Sequence, residues 1–451
     1  METQSVKVSK YFYRSLVAMT LPVALQNVIS YSVNLMDTVM LGSLGEVALS
    51  ATSLANQIFF IYTVVIFGVA GGAIVLCSQY WGKKDIDSIC RVAGIALKIS
   101  GALGAVFTVV LLAFPAQLMR IFTTEPDVIA AGVSYLRIVA FSYFFYGITS
   151  TLLVVLRSVE TVNIAVVIYS VSFVVNVVFN YIFIFGKLGA PKMGVAGAAV
   201  GTVIARAAEF VLMLCYVLLF EKKIKFRPHM LAWHSNGLAA DLWRYGLPVI
   251  LNETLWSIAV SVHAVILGHM GSDIVAANSI CSVMFQMVTS VILGVSNASA
   301  VLVGKVVGQG DFAIAKAQVK KLVHIYFYIG LACAAIILLI KEPIIGIYNI
   351  KASTIDLARQ LMLVYAVAVF FMAFTCPIIT GVFRGGGDTR FAAICDVGCI
   401  WLMVPVGAAA AFLFGAPPVM VLTLLKCDMP IKTAFCLTRL RGDKWIRNIT
   451  R

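Results

Sequence analysis

One stretch of this chain occurs twice. Leu21–Gly45 reads LPVALQNVISYSVNLMDTVMLGSLG, and 226 positions later Leu247–Gly271 reads LPVILNETLWSIAVSVHAVILGHMG. Leu-Pro-Val opens both copies, Leu-Gly recurs in register, and a glycine closes both without a gap. Each copy is apolar enough for lipid, yet the first carries Asn27, Asn34 and Asp37. An ionisable group inside a membrane helix costs roughly 3 kcal/mol on insertion scales, so it marks a functional site by default.

The repeat continues beyond its first helix. At the same offset Ala51 matches Ala277, Phe59 matches Phe285, Gly68 matches Gly294, and Ile121 falls on Ile347. Gly82-Lys-Lys-Asp85 answers Gly308-Gln-Gly-Asp311, Leu156-Arg157 answers Phe383-Arg384, and Ile184-Phe185-Gly186 answers Leu413-Phe414-Gly415. With 61% apolar residues, 12% charged residues and a mean hydropathy of +0.99, a soluble domain of this length is excluded. Twelve spans are expected, centred near residues 28, 64, 102, 142, 175, 207, 254, 290, 329, 369, 402 and 428. Six per half is even, so both halves insert with the same orientation. The expected fold is therefore an all-α polytopic membrane protein, its twelve transmembrane helices forming two six-helix bundles related as parallel repeats around a central cleft. Residues 1–220 form the N-lobe, 221–237 a basic cytoplasmic linker, and 238–451 the C-lobe with a basic C-terminal tail.

The net charge of +14 does not indicate nucleic acid, because its distribution follows membrane topology. With the N-terminus in the cytoplasm, cytoplasmic segments hold 22 Lys and Arg and outer segments 7. Both termini are expected to be cytoplasmic. Lys7, Lys10 and Arg14 precede a long apolar run without a small-residue cleavage site, which reads as the first span and not as a removable signal. Cys395 and Cys399, one turn apart, read as small core residues and not as half a metal site. Pro22 and Pro248 are placed in the first or second turn of their spans, where a proline favours a kink.

Asn27, Tyr31, Asn34 and Asp37 or Thr38 follow steps of three or four and share one helical face. Asp37 lies about 7 Å from the outer end of its span at 1.5 Å per residue. The fifth span repeats the device with Ser172, Asn176 and Asn180. The sixth opens GVAGAAVGTVIAR, whose small residues permit close helix packing and whose Thr202 adds a hydroxyl. Together they describe a polar pocket with Asp37 as its only carboxylate, suited to a proton or to Na+ at Asp37, Asn176 and Asn180, since hard cations prefer oxygen ligands. In the second half position 37 becomes His263 and position 27 becomes Glu253. Glu253 lies well inside its span, suited to proton exchange and to attracting a cation. Trp256, three residues on, is placed to stack on such a cation. His263 reads as a packing residue or a minor site member. Arg206 and Glu209 read as an intrahelical pair. Lys426 and Asp428 stay open between structural and functional roles. Arg384-Gly-Gly-Gly-Asp388-Thr389-Arg390 lacks a preceding strand and a Gly-Lys-Ser/Thr ending, so it reads as a cytoplasmic turn making interlobe contacts and not as a phosphate loop. No nucleotide motif appears, which leaves an ion gradient as the energy source.

At this point the chain resembles the MATE (multidrug and toxic compound extrusion) family over nearly its whole length. The resemblance rests on Met36-Asp37-Thr38 before Leu41-Gly42, Gly82-x-x-Asp85, Pro248 with Asn252-Glu253-x-x-Trp256, Arg384-Gly-Gly-Gly-Asp388-Thr389, and the final Lys444-Trp445-Ile446. It implies export of organic cations or other drugs in exchange for H+ or Na+ across the cytoplasmic (inner cell) membrane. It also implies ion binding at Asp37 in the N-lobe and Glu253 in the C-lobe, no further cofactor, and a monomer contacting membrane lipid. Two features depart from the family pattern. An Asn-x-x-x-Asp pair is common on the fifth helix, and here its second member is Asn180. Some members carry an acid in the tenth helix, where this chain has only Asp356 near the outer start. The alternative is a lipid-linked oligosaccharide flippase of the same superfamily, expected to line its cleft with cations where this cleft reads as acidic and amide-rich. A membrane enzyme requires a clustered catalytic constellation, and no span groups two acids or histidines.

Overall fold

The computed structural model describes residues 10–233, 237–346 and 351–450. Lys7, Ile347 and the linker positions 234–236 lie outside the described residues. The described residues are predominantly helical: α1 (Lys10–Gly42), α2 (Glu46–Lys83), α3 (Ile86–Ala113), α4 (Pro115–Phe122), α5 (Pro126–Ser158), α6 (Asn163–Phe185), α7 (Val195–Cys215), α8 (Leu238–Gly268), α9 (Ser272–Gln309), α10 (Phe312–Ile345), α11 (Ala352–Cys376), α12 (Thr389–Phe412), α13 (Pro418–Lys426) and α14 (Asp428–Arg441). π-helical turns extend α7 through Tyr216–Phe220 and α11 through Pro377–Phe383.

Eleven of the described helices are long and apolar enough to cross a membrane. The twelfth expected span is two short helices, α13 and α14, meeting at Cys427. The cause is legible in its charges: Lys426, Asp428 and Lys432 interrupt the apolar run. Pro22 also stands deeper in its helix than expected. The chain is already helical at Lys10, the first described residue, with Phe12, Leu16 and Met19 buried, so Pro22 lies no earlier than the fourth turn.

Two compact units are distinguished. One contains the described residues up to Ala24, Ser78–Lys84 and the chain from Leu251 onward; the other contains Leu25–Cys77 and Asp85–Ile250. The second unit is built on Leu41, Ala51, Ile58, Tyr62, Leu136, Tyr143 and Ile184, drawn from α1, α2, α5 and α6. The Tyr62 hydroxyl donates to the Tyr143 carbonyl at 2.7 Å within this aromatic centre. The first unit is built on Ala259, Ile280, Met284, Ile337, Leu361, Val369, Ile400 and Leu425, from α8 to α13.

The repeated Gly-x-x-Asp motifs have a physical basis. Asp85 is the N-cap of α3, its Oδ1 accepting from the Ser88 amide at 3.0 Å and its Oδ2 from the Ser88 hydroxyl at 2.7 Å. Asp311 occupies the same place before α10. The two glycines pack reciprocally. A Cβ on Gly82 would lie 1.9 Å from the Lys305 carbonyl oxygen, and one on Gly308 would lie 1.9 Å from that of Gln79. Backbone approaches backbone there, and only glycine fits.

The RGGGDT turn also closes within the first unit. The Gln79 amide donates to the carbonyls of Gly385 (2.9 Å) and Arg447 (3.1 Å), and its Oε1 accepts from the Ile449 amide at 2.9 Å. Gly387 pairs with Ile446, Asp388 receives Arg439 at 2.7 Å and Arg447 at 3.2 Å, and Trp445 is fully buried against Gly386. The C-terminal tail is thus an ordered part of this unit.

Candidate functional site

Asp37 approaches the end of α1 and is half-buried. The Asn180 side-chain amide donates to its Oδ1 at 2.6 Å and to Asn176 Oδ1 at 3.2 Å. The four-residue spacing on α6 stacks Ser172, Asn176 and Asn180 on one buried stripe, as the sequence predicts. Asn180 reaches Asp37 because α6 and α7 pack closely: a Cβ on Gly201 would fall 2.1 Å from Asn180 Oδ1, and one on Gly197 would fall 2.5 Å from the Phe183 backbone. Thr202 on α7 donates to the Ala198 carbonyl at 2.9 Å and sits beside the Tyr135 hydroxyl. Asn34 does not join the group. Its side chain is exposed, and its carbonyl accepts from Thr38 at 2.8 Å.

Arg206 interacts with Asp37 through charge while forming the expected intrahelical pair with Glu209, both carboxylate oxygens lying 2.9 Å away. Its guanidinium lies 5.0 Å from the Tyr146 ring centre and 5.8 Å from that of Phe59. Asn180 Oδ1 is buried and has no hydrogen-bond partner among the described residues. This is one carboxylate and two stacked amides, one of them with an orphaned oxygen: hard oxygen donors that fit a small cation or a protonatable centre.

The first unit holds the second group. Glu253 on α8 is ion-paired at 2.6 Å with Arg384, at the end of the π-helical segment after α11. The sequence places Arg384 and its counterpart Arg157 in cytoplasmic connections, but the structure buries both at 7% exposure. Arg157 donates to Gln26 at 3.2 Å within the second unit, much as Arg384 donates to Glu253 within the first. Each arginine stands at the end of an apolar helical run and turns inward to a polar group near the middle of α1 or α8. Trp256 is half-buried against the apolar core of its unit, and the Trp401 indole donates to the Leu255 carbonyl at 3.1 Å. His263 is buried, with Nε2 unpartnered among the described residues, and senses the charges of Lys426 and Lys432.

Two charged residues here, Asp396 and Lys432, escape the sequence pattern, and Asp428, left open there, joins them. Asp396 on α12 takes a hydrogen bond from Asn252 at 3.2 Å and an ion pair from Lys432 at 2.7 Å, and Lys432 also meets Asp428 at 2.7 Å. Within this unit Glu253, Asp396 and Asp428 are thus accompanied by an equal number of cations, Arg384, Lys426 and Lys432. The available signals were an acid in the apolar run of α12 and the four-residue step from Asp428 to Lys432.

Comparison with known proteins agrees with this architecture. The MatE family model matches residues 22–182 and again 248–409, one copy per repeat. The chain is 24% identical over 402 residues to the probable multidrug resistance protein YoeA of Bacillus subtilis, covering 87% of this chain and 86% of that protein. It is 27% identical over 404 residues to the multidrug resistance protein NorM of Photobacterium profundum, covering 87% and 86%. A MATE structure solved in complex with MaL6 superposes with a TM-score of 0.87 at 19% identity, covering 95% of this chain and 96% of that one. With both copies of the family model spanning its two repeats, this multi-pass membrane protein belongs to the MatE family of transporters and is not an enzyme.

Proposed function

We propose that this chain is a secondary active antiporter that exports amphipathic organic cations and other drugs in exchange for H+ or Na+ by alternating access. The observation that carries the reading is the contact of Asp37 with Asn180 beside Asn176, a carboxylate set among amides in an apolar unit. Relatives named multidrug resistance proteins support the substrate class. In this reading residues 1–220 and 238–451 act as N- and C-lobes joined by the 221–237 linker. The protein works as a monomer in the cytoplasmic membrane, surrounded by lipid, with both termini cytoplasmic. Glu253 exchanges its partner Arg384 for the transported cation during the cycle, and Asp37 carries the coupling ion.

A lipid-linked oligosaccharide flippase is the second reading. It is favoured by Lys426, whose ammonium lies 5.4 Å from the ring centres of both Phe285 and Tyr365 and is in no ion pair among the described residues. Arg384 and Lys432 weigh the other way, since carboxylates neutralise both. The test uses proteoliposomes loaded with an organic-cation dye, under a pH gradient and then a Na+ gradient. Gradient-dependent efflux that is lost in Asp37→Asn establishes antiport and names its ion. Dye that stays put while a fluorescent lipid-linked sugar is flipped overturns antiport.

A further inference from the structure

The first unit contains a second cation-binding geometry, and a residue of the chain already fills it. Lys432 Nζ lies 2.7 Å from Asp396 Oδ1 and 2.7 Å from Asp428 Oδ2, and its side chain is only 2% exposed. Asn252 holds the other oxygen of Asp396 through its amide at 3.2 Å, while its own Oδ1, on a residue 3% exposed, has no hydrogen-bond partner among the described residues. Asp428 is 1% exposed and, among the described residues, is held by the lysine ion pair alone. Two carboxylates therefore hold one ammonium group, and the Asn252 amide, whose own oxygen is buried and unpartnered among the described residues, fixes the far oxygen of one of them. Three helices supply them: α8, α12 and α14.

Oxygen donors around a single positive charge are what a small monovalent cation requires. An isolated acid pair in apolar surroundings would not stay ionised, so the positive charge at this point is part of the fold. We infer that Lys432 is a tethered cation occupying a monovalent-cation site formed by Asp396 and Asp428, with Asn252 holding Asp396 in place, and that it excludes Na+ from this part of the protein. The site is separate from Asp37, and the inference holds whichever substrate the protein exports. Its chemistry predicts what enters once the tether is cut: Na+, or a small primary ammonium ion such as methylammonium. Lys432 is thereby a specificity-determining residue, and it confines any Na+ response of the wild-type chain to other positions.

The test is thermal unfolding of the purified full chain in detergent, in an Asp37→Asn background that silences the other candidate site. NaCl and methylammonium chloride are compared with choline chloride at equal ionic strength. Wild-type Lys432 is expected to give no cation-specific shift. Lys432→Ala is expected to gain a Tm rise of a few degrees with Na+ and with methylammonium, by preferential binding to the folded state. Adding Asp396→Asn and Asp428→Asn to that variant removes the rise. Lys432→Met, which keeps the space filled, does not respond to methylammonium. If Lys432→Ala does not fold, Lys432→Ala with Asp428→Asn keeps both the net charge of the cluster and the vacated space, and takes its place. No cation-specific rise in either variant, or an equal rise with Lys432 present, overturns the proposal.

Discussion

Arg384 donates to Glu253 at 2.6 Å, joining the end of the π-helical segment after α11 to the middle of α8. The guanidinium is 8% exposed, so removing its partner leaves a charge with little water to replace it. Glu253→Gln is expected to destabilise the protein by about 3 kcal/mol, the lower end for broken buried pairs because a quarter of the Glu253 side chain is exposed. Glu253→Gln combined with Arg384→Met should recover most of the loss while leaving transport impaired. Tm in detergent and dye efflux, measured on the same preparations, separate the two effects.

Asp37 and Asn180 predict a coupling defect without a folding defect. Asp37→Asn should insert normally and abolish drug-driven ion flux. Retained flux in that variant sinks the assignment of Asp37. Asn180→Ala should weaken coupling about tenfold or more, because a hydrogen bond to an ionised acceptor is worth roughly 1.5–3 kcal/mol.

Gly201 makes the same prediction from the opposite helix. A methyl group there meets Asn180 Oδ1 at 2.1 Å, so Gly201→Ala pushes Asn180 off Asp37. It should reproduce the Asn180→Ala phenotype, and the double variant should be no worse than either single one. Additive losses would place Gly201 outside this contact.

Trp445 tests the tail. It is 1% exposed, and the segment it anchors carries Ile446, Arg447 and Ile449 onto Gly387, Asp388 and Gln79. Trp445→Ala should destabilise by about 3–5 kcal/mol. Limited proteolysis should then cut near residue 442 first in that variant, and unchanged protection would show the tail to be dispensable.

The parts of this protein that were legible in the sequence are those governed by periodicity. The offset of 226 gave the two copies to which the family model matches, and the four-residue steps on α6 gave the stripe that meets Asp37. What stayed hidden depends on long-range pairing. Arg157 and Arg384 look like loop cations because they end apolar runs, and nothing local says that Gln26 and Glu253 await them 131 residues away in each case. Asn34 satisfies the helical face yet stands exposed, because a face some 100° wide reaches past the pocket edge. Asp396 was invisible for another reason. Its partner Lys432 lies in a span that its charges break in two, so neither residue stands out as half of a pair.

That broken span has a consequence for how the protein is made. A segment carrying Lys426, Asp428 and Lys432 is a poor substrate for the translocon, which passes helices into lipid according to their own hydrophobicity. The remedy is already synthesised when α14 emerges: Asp396 waits on α12, and Lys432 can be neutralised against it before it faces hydrocarbon. The last helices of this chain are therefore expected to insert together, with Asp396 and Asp428 offsetting Lys426 and Lys432. Biogenesis of the C-terminal end is then a cooperative step, and a substitution at Asp396 is felt first in the yield of inserted protein.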